Sequence, residues 1–183
     1  MDGSKKHRIF LTGFMGSGKS TIAPILANTL GYIFVDLDKE IEQLAGKKVS
    51  EIFSELGEEY FRDVERVILR DVSVRDKCVI SLGGGTITNE HNLQVVKSSG
   101  ILIYLKVNSE QIFQRMKHKI DRPLLKSSDG TMLNEDELRS RVASLLEQRE
   151  RFYAQAHITV VTDDLRVGLT VDKIVDDLRT FDR

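Results

Sequence analysis

Short apolar runs alternate along this chain with longer stretches in which apolar positions recur every three to four residues. Residues 8–12, 32–35, 78–82, 100–107 and 157–161 read as strands. Helical periodicity fills 18–30, 38–45, 89–98, 109–119, 134–155 and 168–181. A further helix is expected from an N-cap at Ser50 to about residue 74, with a break near Gly57. Gly31 and Gly46 stand where the first two helices should close. Pro24 falls inside the first helix, where it removes one backbone bond and is expected to bend the axis. Five β-rich runs separated by helices require crossover connections, and hence a parallel sheet covered on both faces. Residues 1–183 are therefore expected to form a single α/β domain. The least regular stretch is 121–131, with Pro123, Ser127, Ser128 and Gly130, and a loop of that kind in a compact domain is usually functional or mobile.

Composition narrows the chemistry. With 183 residues, 40% hydrophobic and 30% charged, the chain can build a full core without disulfides or a structural metal. A net charge of −1 argues against a nucleic-acid partner held by bulk positive charge, so any bound anion needs a local pocket. The one cysteine, Cys78, cannot form an internal disulfide and adjoins the apolar pair Val79-Ile80. It reads as a small buried hydrophobe in a reducing compartment. His7, His91, His118 and His157 show no metal-ligand spacing. No stretch approaches the length of a membrane span, and no apolar signal region follows the basic residues near the N-terminus. A cytoplasmic protein with no membrane partner is expected.

Gly13-Phe14-Met15-Gly16-Ser17-Gly18-Lys19-Ser20 matches G-x-x-x-x-G-K-[ST] at every fixed position, after a strand and at the start of a helix. Its backbone N–H groups and the helix N-terminus suit phosphate oxygens. Lys19 would reach the β- and γ-phosphates, and the Ser20 hydroxyl would ligate Mg²⁺. The motif implies a nucleoside triphosphate but leaves the acceptor open. Asp36 and Asp38 follow the second strand, at the edge where ligands bind in open parallel sheets. Strand alternation would put both on one side, one near Mg²⁺ and one on an acceptor hydroxyl. Taken alone, Asp38 also fits a helix N-cap. In Ile52-Phe53-x-x-x-Gly57-Glu58-x-x-Phe61-Arg62-x-x-Glu65, two acids can pin the stem of Arg62 while its guanidinium points elsewhere, though such pairs also describe a solvated helix face. Gly83-Gly84-Gly85 ends the third strand and permits close backbone approach to a ligand.

The ordered set GFMGSGKST, DLD, IFxxxGExxFRxxE, GGG and RPLL resembles the shikimate kinases from about residue 9 to residue 166. The resemblance implies a three-layer α/β/α P-loop kinase fold, with a five-stranded parallel sheet of order 2-3-1-4-5. It also implies transfer of the ATP γ-phosphoryl to the 3-hydroxyl of shikimate, on the route to chorismate and the aromatic amino acids. Carried over residue by residue, it assigns catalysis to Lys19, Asp38 and Arg122, the last on a lid over 121–131. ATP would meet Gly16, Ser17, Gly18, Lys19, Ser20, Thr21 and Arg122, with Arg115 and Arg166 beside adenine. Shikimate would meet Asp38, Arg62, Gly83, Gly84, Gly85 and Arg149, the last in R-x-x-x-Y with Tyr153. Mg²⁺ would be held by Ser20 and, through water, by Asp36. The family often has a proline two residues after the Arg166 position, where this chain has Gly168. A monomer is expected. Two rival readings are a kinase of another hydroxylated acid, such as gluconate, or of a nucleotide, and a nucleotide-binding regulator without catalysis. The second should have lost some of Lys19, Asp38, Arg62 or Arg122, and all four are present.

Overall fold

Strand β1 (Arg8–Thr12) shows how the sheet is built. Ile9 and Leu11 point into one hydrophobic cluster and Phe10 into another, as the two-residue period of a strand dictates. Strand β4 (Ile101–Lys106) repeats the pattern, with Ile101, Ile103 and Leu105 on one side and Leu102 and Tyr104 on the other. Both faces are therefore buried, which is why these strands read as continuous apolar runs. The computed structural model describes residues 7–117, 133–163 and 165–181. With β2 (Ile33–Asp36), β3 (Cys78–Ser81) and β5 (Ile158–Val161), the sheet has the order β2-β3-β1-β4-β5, all parallel.

Helices α1 (Lys19–Leu30) and α8 (Val167–Phe181) cover one face through Leu26, Ile174 and their neighbours. The other face receives α2 (Leu37–Ala45), α3 (Val49–Glu55), α4 (Gly57–Val72), α5 (Glu90–Ser99), α6 (Ser109–Met116) and α7 (Glu135–Tyr153). The parallel sheet covered on both faces is what the apolar pattern led us to expect, and the three-layer arrangement and strand order are those the resemblance implied.

Several boundaries moved. Strand β2 ends at Asp36, whose carboxylate accepts from the Lys39 N–H at 3.2 Å and so caps α2. Ser50 does not cap α3. Lys48 holds that position, and the Glu51 side chain turns back to accept from the Lys48 N–H at 2.7 Å. An acid inside the first turn thus satisfies the N–H of the capping residue itself. The expected break is real: Leu56 lies between α3 and α4, and Gly57, which opens α4, has φ 84°. Pro24 does not break α1, which runs through it. Cys78 is buried, and burial pushes its thiol pKa up, as fits an inert packing residue. Among the described residues no helix is long and apolar enough to cross a membrane.

Candidate active site

The C-terminal edges of β1, β2 and β3 open onto one cavity of about 780 Å³. Its walls include Met15 to Thr21, Asp36, Asp38, Gly83, Gly84 and Arg115. In the P-loop, Gly13 has φ 144°, and a Cβ there would stand 2.7 Å from the Leu105 carbonyl oxygen, so only glycine fits. Lys19 folds its ammonium back over the loop, donating to the carbonyls of Gly13 (2.7 Å) and Phe14 (3.1 Å). Ser20 is exposed at the start of α1. The Ser17 hydroxyl is buried and has no hydrogen-bond partner among the described residues. From α6, Arg115 reaches across to the Gly16 carbonyl at 3.0 Å.

Asp36 and Asp38 both face this cavity, but not for the reason strand alternation gave. The strand stops at Asp36, and Asp38 lies in the first turn of α2. Helix geometry therefore sets their relation.

The three glycines after β3 each adjoin a different functional side chain. A Cβ on Gly83 would stand 3.0 Å from Asp38 Oδ1. The Gly84 carbonyl accepts from Arg149 Nη1 (3.2 Å) and the Tyr153 hydroxyl (2.5 Å). A Cβ on Gly85 would stand 2.9 Å from Arg62 Nη2. The triple glycine is the point where one carboxylate and two guanidinium groups converge from α2, α4 and α7. Arg62 and Arg149 are not among the residues lining the cavity itself, and they stand beside it at Gly85 and Gly84.

Glu58 (3.1 Å) and Glu65 (2.9 Å) pair with Arg62 as its spacing predicts, but they hold the guanidinium nitrogens themselves and not the stem, so the group does not point away from them. Burial opposes its charge, but Glu65 and Glu58 outweigh that and hold its pKa above the ordinary value. Its guanidinium also lies 5.2 Å from the Phe61 ring centroid, and Phe61 packs on Phe53. Glu65 does more than its spacing suggested. Only 1% exposed, it also accepts from the Thr86 hydroxyl at 2.7 Å, and the Thr86 carbonyl accepts from Asn92 at 3.0 Å. This network ties α4 to the turn after the glycines and to α5. Nothing in the local pattern marked Thr86 or Asn92, because their partners lie on other elements. Lys39, Glu42, Lys48 and Val49 also line the cavity and were not singled out, and Ser50, expected only as a helix cap, lines it too.

Arg166 is exposed in the segment joining β5 to α8, and its carbonyl accepts from Thr170 at 3.0 Å. Its neighbours Leu165 and Val167 line the cavity, while Arg166 itself does not. Gly168 has open space where a Cβ would be. Arg122 and the expected lid at 121–131 lie outside the described residues.

A P-loop and a carboxylate on one cavity, with two arginines beside it at the triple glycine, define a P-loop phosphotransferase acting on a small acceptor. Comparison with known proteins makes this specific. The family model described as shikimate kinase matches residues 15–179, and the chain belongs to that family. The shikimate kinase of Prosthecochloris aestuarii is 47% identical over 175 residues, covering 96% of this chain and 89% of the relative. The shikimate kinase of Chlorobaculum tepidum is 47% identical over 171 residues, covering 92% and 90%. Among solved structures, shikimate kinase from Acinetobacter baumannii in complex with shikimate superposes with a TM-score of 0.85 at 33% identity, covering 94% of this chain and 93% of that one. Shikimate kinase from Bacteroides thetaiotaomicron gives 0.85 at 35% identity, covering 94% and 98%. A gluconokinase from Sinorhizobium meliloti, at 16% identity and a TM-score of 0.58, shares the fold alone. The chain is thus a phosphotransferase with an alcohol acceptor.

Proposed function

We propose that residues 1–183 act as one catalytic domain, a cytoplasmic monomer that transfers the γ-phosphoryl of ATP to the 3-hydroxyl of shikimate. The observation that carries this reading is the convergence of Asp38, Arg149 and Arg62 on three successive glycines beside the P-loop. Shikimate is a small hydroxylated carboxylate, so its site needs cations for the acid and an acceptor for the reacting hydroxyl. Arg62 and Arg149 meet the first need and Asp38 the second. The hydroxyl oxygen attacks the γ-phosphorus, the bond to the β–γ bridging oxygen breaks, and ADP leaves as shikimate 3-phosphate forms. Asp38 accepts the hydroxyl's hydrogen bond, orients it for in-line attack and takes its proton as the bond to phosphorus forms.

Lys19 leaves its loop carbonyls for the β- and γ-phosphates, with Gly16, Ser17, Gly18, Ser20 and Thr21 around them. Arg122 joins them at the transferring group, and Arg115 and Arg166 flank the adenine. Ser20 and Asp36 suit Mg²⁺, because one hydroxyl and one carboxylate on the same cavity leave room for phosphate oxygens and waters in its octahedron. When bound, Mg²⁺ supplies charge neutralisation at the phosphates.

The test is ADP release measured with shikimate, with gluconate and with nucleoside monophosphates. Turnover with shikimate alone is expected, and comparable turnover with gluconate or a nucleotide would overturn the assignment.

A second experiment addresses the acceptor end. Arg62→Ala should raise the KM for shikimate about 10- to 150-fold, the worth of a hydrogen bond to a charged group, with the KM for ATP little changed. Arg62→Lys should not rescue it, since a point charge cannot make the bidentate contact. Gly85→Ala should shift the same KM less, because the added methyl pushes only the flexible end of Arg62. Removing Arg62 leaves the buried Glu65 without its cation, so thermal melting must accompany the kinetics. A raised KM for ATP with an unchanged KM for shikimate would place Arg62 on the nucleotide side.

A further inference from the structure

Helix α7 presents Arg149 and Tyr153, one turn apart, to the Gly84 carbonyl. Between them Glu150 takes a different direction, toward the sheet. Its Oε2 accepts from the Tyr104 hydroxyl at 2.7 Å and its Oε1 from Lys106 Nζ at 2.6 Å. Both partners belong to β4, two residues apart on the same face of the strand. Tyr104 is 1% exposed, and its ring stacks on Tyr153 with centroids 5.0 Å apart. Burial, reinforced by the bond to Glu150, keeps the Tyr104 phenol far above its ordinary pKa, so it remains a donor. Burial likewise lifts Tyr153 to about 12, against the lowering pull of Arg149, so Tyr153 donates to Gly84.

The same turn of helix is therefore held on two sides. Consecutive helical residues point about 100° apart, so any rotation of α7 that swings Arg149 away from Gly84 must also pull Glu150 off β4. The Arg149 guanidinium is held loosely in its own right, by one 3.2 Å bond and by the Phe14 ring 5.6 Å away. The surface pair with Lys106 carries little. The contact with Tyr104 carries more, because a buried hydroxyl needs an acceptor.

We propose that Glu150 is a positioning residue for acceptor binding: anchored on β4 by Tyr104 and Lys106, it sets the rotation of α7 that aims Arg149 at Gly84. This rests on the reading of Arg149 as a ligand of the acceptor carboxylate. Glu150 itself touches no substrate. Its loss acts on the KM for shikimate and spares the KM for ATP and kcat at saturation.

The experiment measures both KM values and the melting temperature for Arg149→Ala, Glu150→Ala, Glu150→Gln and the double alanine variant. Arg149→Ala tests the underlying reading and should raise the KM for shikimate about 10- to 150-fold. No rise there sinks that reading, whatever Glu150 does. Given that rise, Glu150→Ala should raise the same KM about 2- to 12-fold, the worth of one hydrogen bond. Glu150→Gln, which still accepts from Tyr104, should recover most of the loss. In the Arg149→Ala background, removing Glu150 should add nothing further. An unchanged KM for shikimate in Glu150→Ala, an additive double variant, or equal shifts for both substrates would each overturn the inference. Should Glu150→Ala melt too low to assay, Tyr104→Phe keeps the ring stack and removes the donor. It should give the same selective rise, and no rise would overturn the inference equally.

Discussion

Replacing Lys19 with alanine is expected to leave a folded protein with almost no turnover. Its ammonium now bonds to two carbonyls of its own loop, at 2.7 and 3.1 Å. Those bonds fold the cation back over the loop that lines the cavity, and a γ-phosphate carries more charge than two carbonyl dipoles. The lysine should therefore exchange one set of acceptors for the other when nucleotide arrives. Removing one preorganised donor from a developing charge costs on the order of 10²–10³ in kcat, and a full positive charge should cost at least that. Folding should survive, because α1 and β1 are held by the apolar cluster around Leu11, Ile22 and Leu26. Single-turnover kinetics at saturating substrates, with a thermal melt, would check it. Near-normal turnover would refute the role given to Lys19.

Asp38→Asn should lower kcat by about 10²–10⁴, the usual contribution of a group that orients or deprotonates a nucleophile. The amide keeps the size of the carboxylate, so the close fit against Gly83, 3.0 Å from Oδ1 to the position of an added Cβ, is not disturbed. What is lost is the negative charge that draws the hydroxyl proton. The KM for ATP should change little, because Asp38 belongs to the first turn of α2 and not to the loop that receives the phosphates. Steady-state kinetics with each substrate varied would separate the two effects. Weakened ATP binding with normal turnover at saturation would place Asp38 on the nucleotide side.

Much of this was legible before any coordinates, for specific reasons. The P-loop could be read because its chemistry is local: backbone amides, one lysine and one hydroxyl act within eight consecutive residues. The pinning of Arg62 by Glu58 and Glu65 could be read because helix geometry places residues three and four apart on one face. Asp36 and Asp38 were placed at the right edge of the sheet but by a wrong argument. The strand ends at Asp36 and the helix begins at Leu37, and period alone does not say where one hands over to the other. The Ser50 cap failed for a related reason. The helix begins at Val49, one residue before Ser50, and Glu51 bonds the Lys48 N–H, so Ser50 already lies inside the first turn.

The chain's apolar periods and glycine spacing were enough to specify the layers, the crossovers and the phosphate loop, because each depends on residues near one another in sequence. The convergence at Gly83, Gly84 and Gly85 is of another kind. Arg149 lies 65 residues from Gly84, and Tyr104 lies 46 from Glu150. No period links them, and only the packing of α7 across β4 and β3 brings them within hydrogen-bond reach. Glu65 shows both levels in one side chain. Its pairing with Arg62 follows from helical spacing, while its burial and its bond to Thr86 exist only because α4 closes over the end of the third strand.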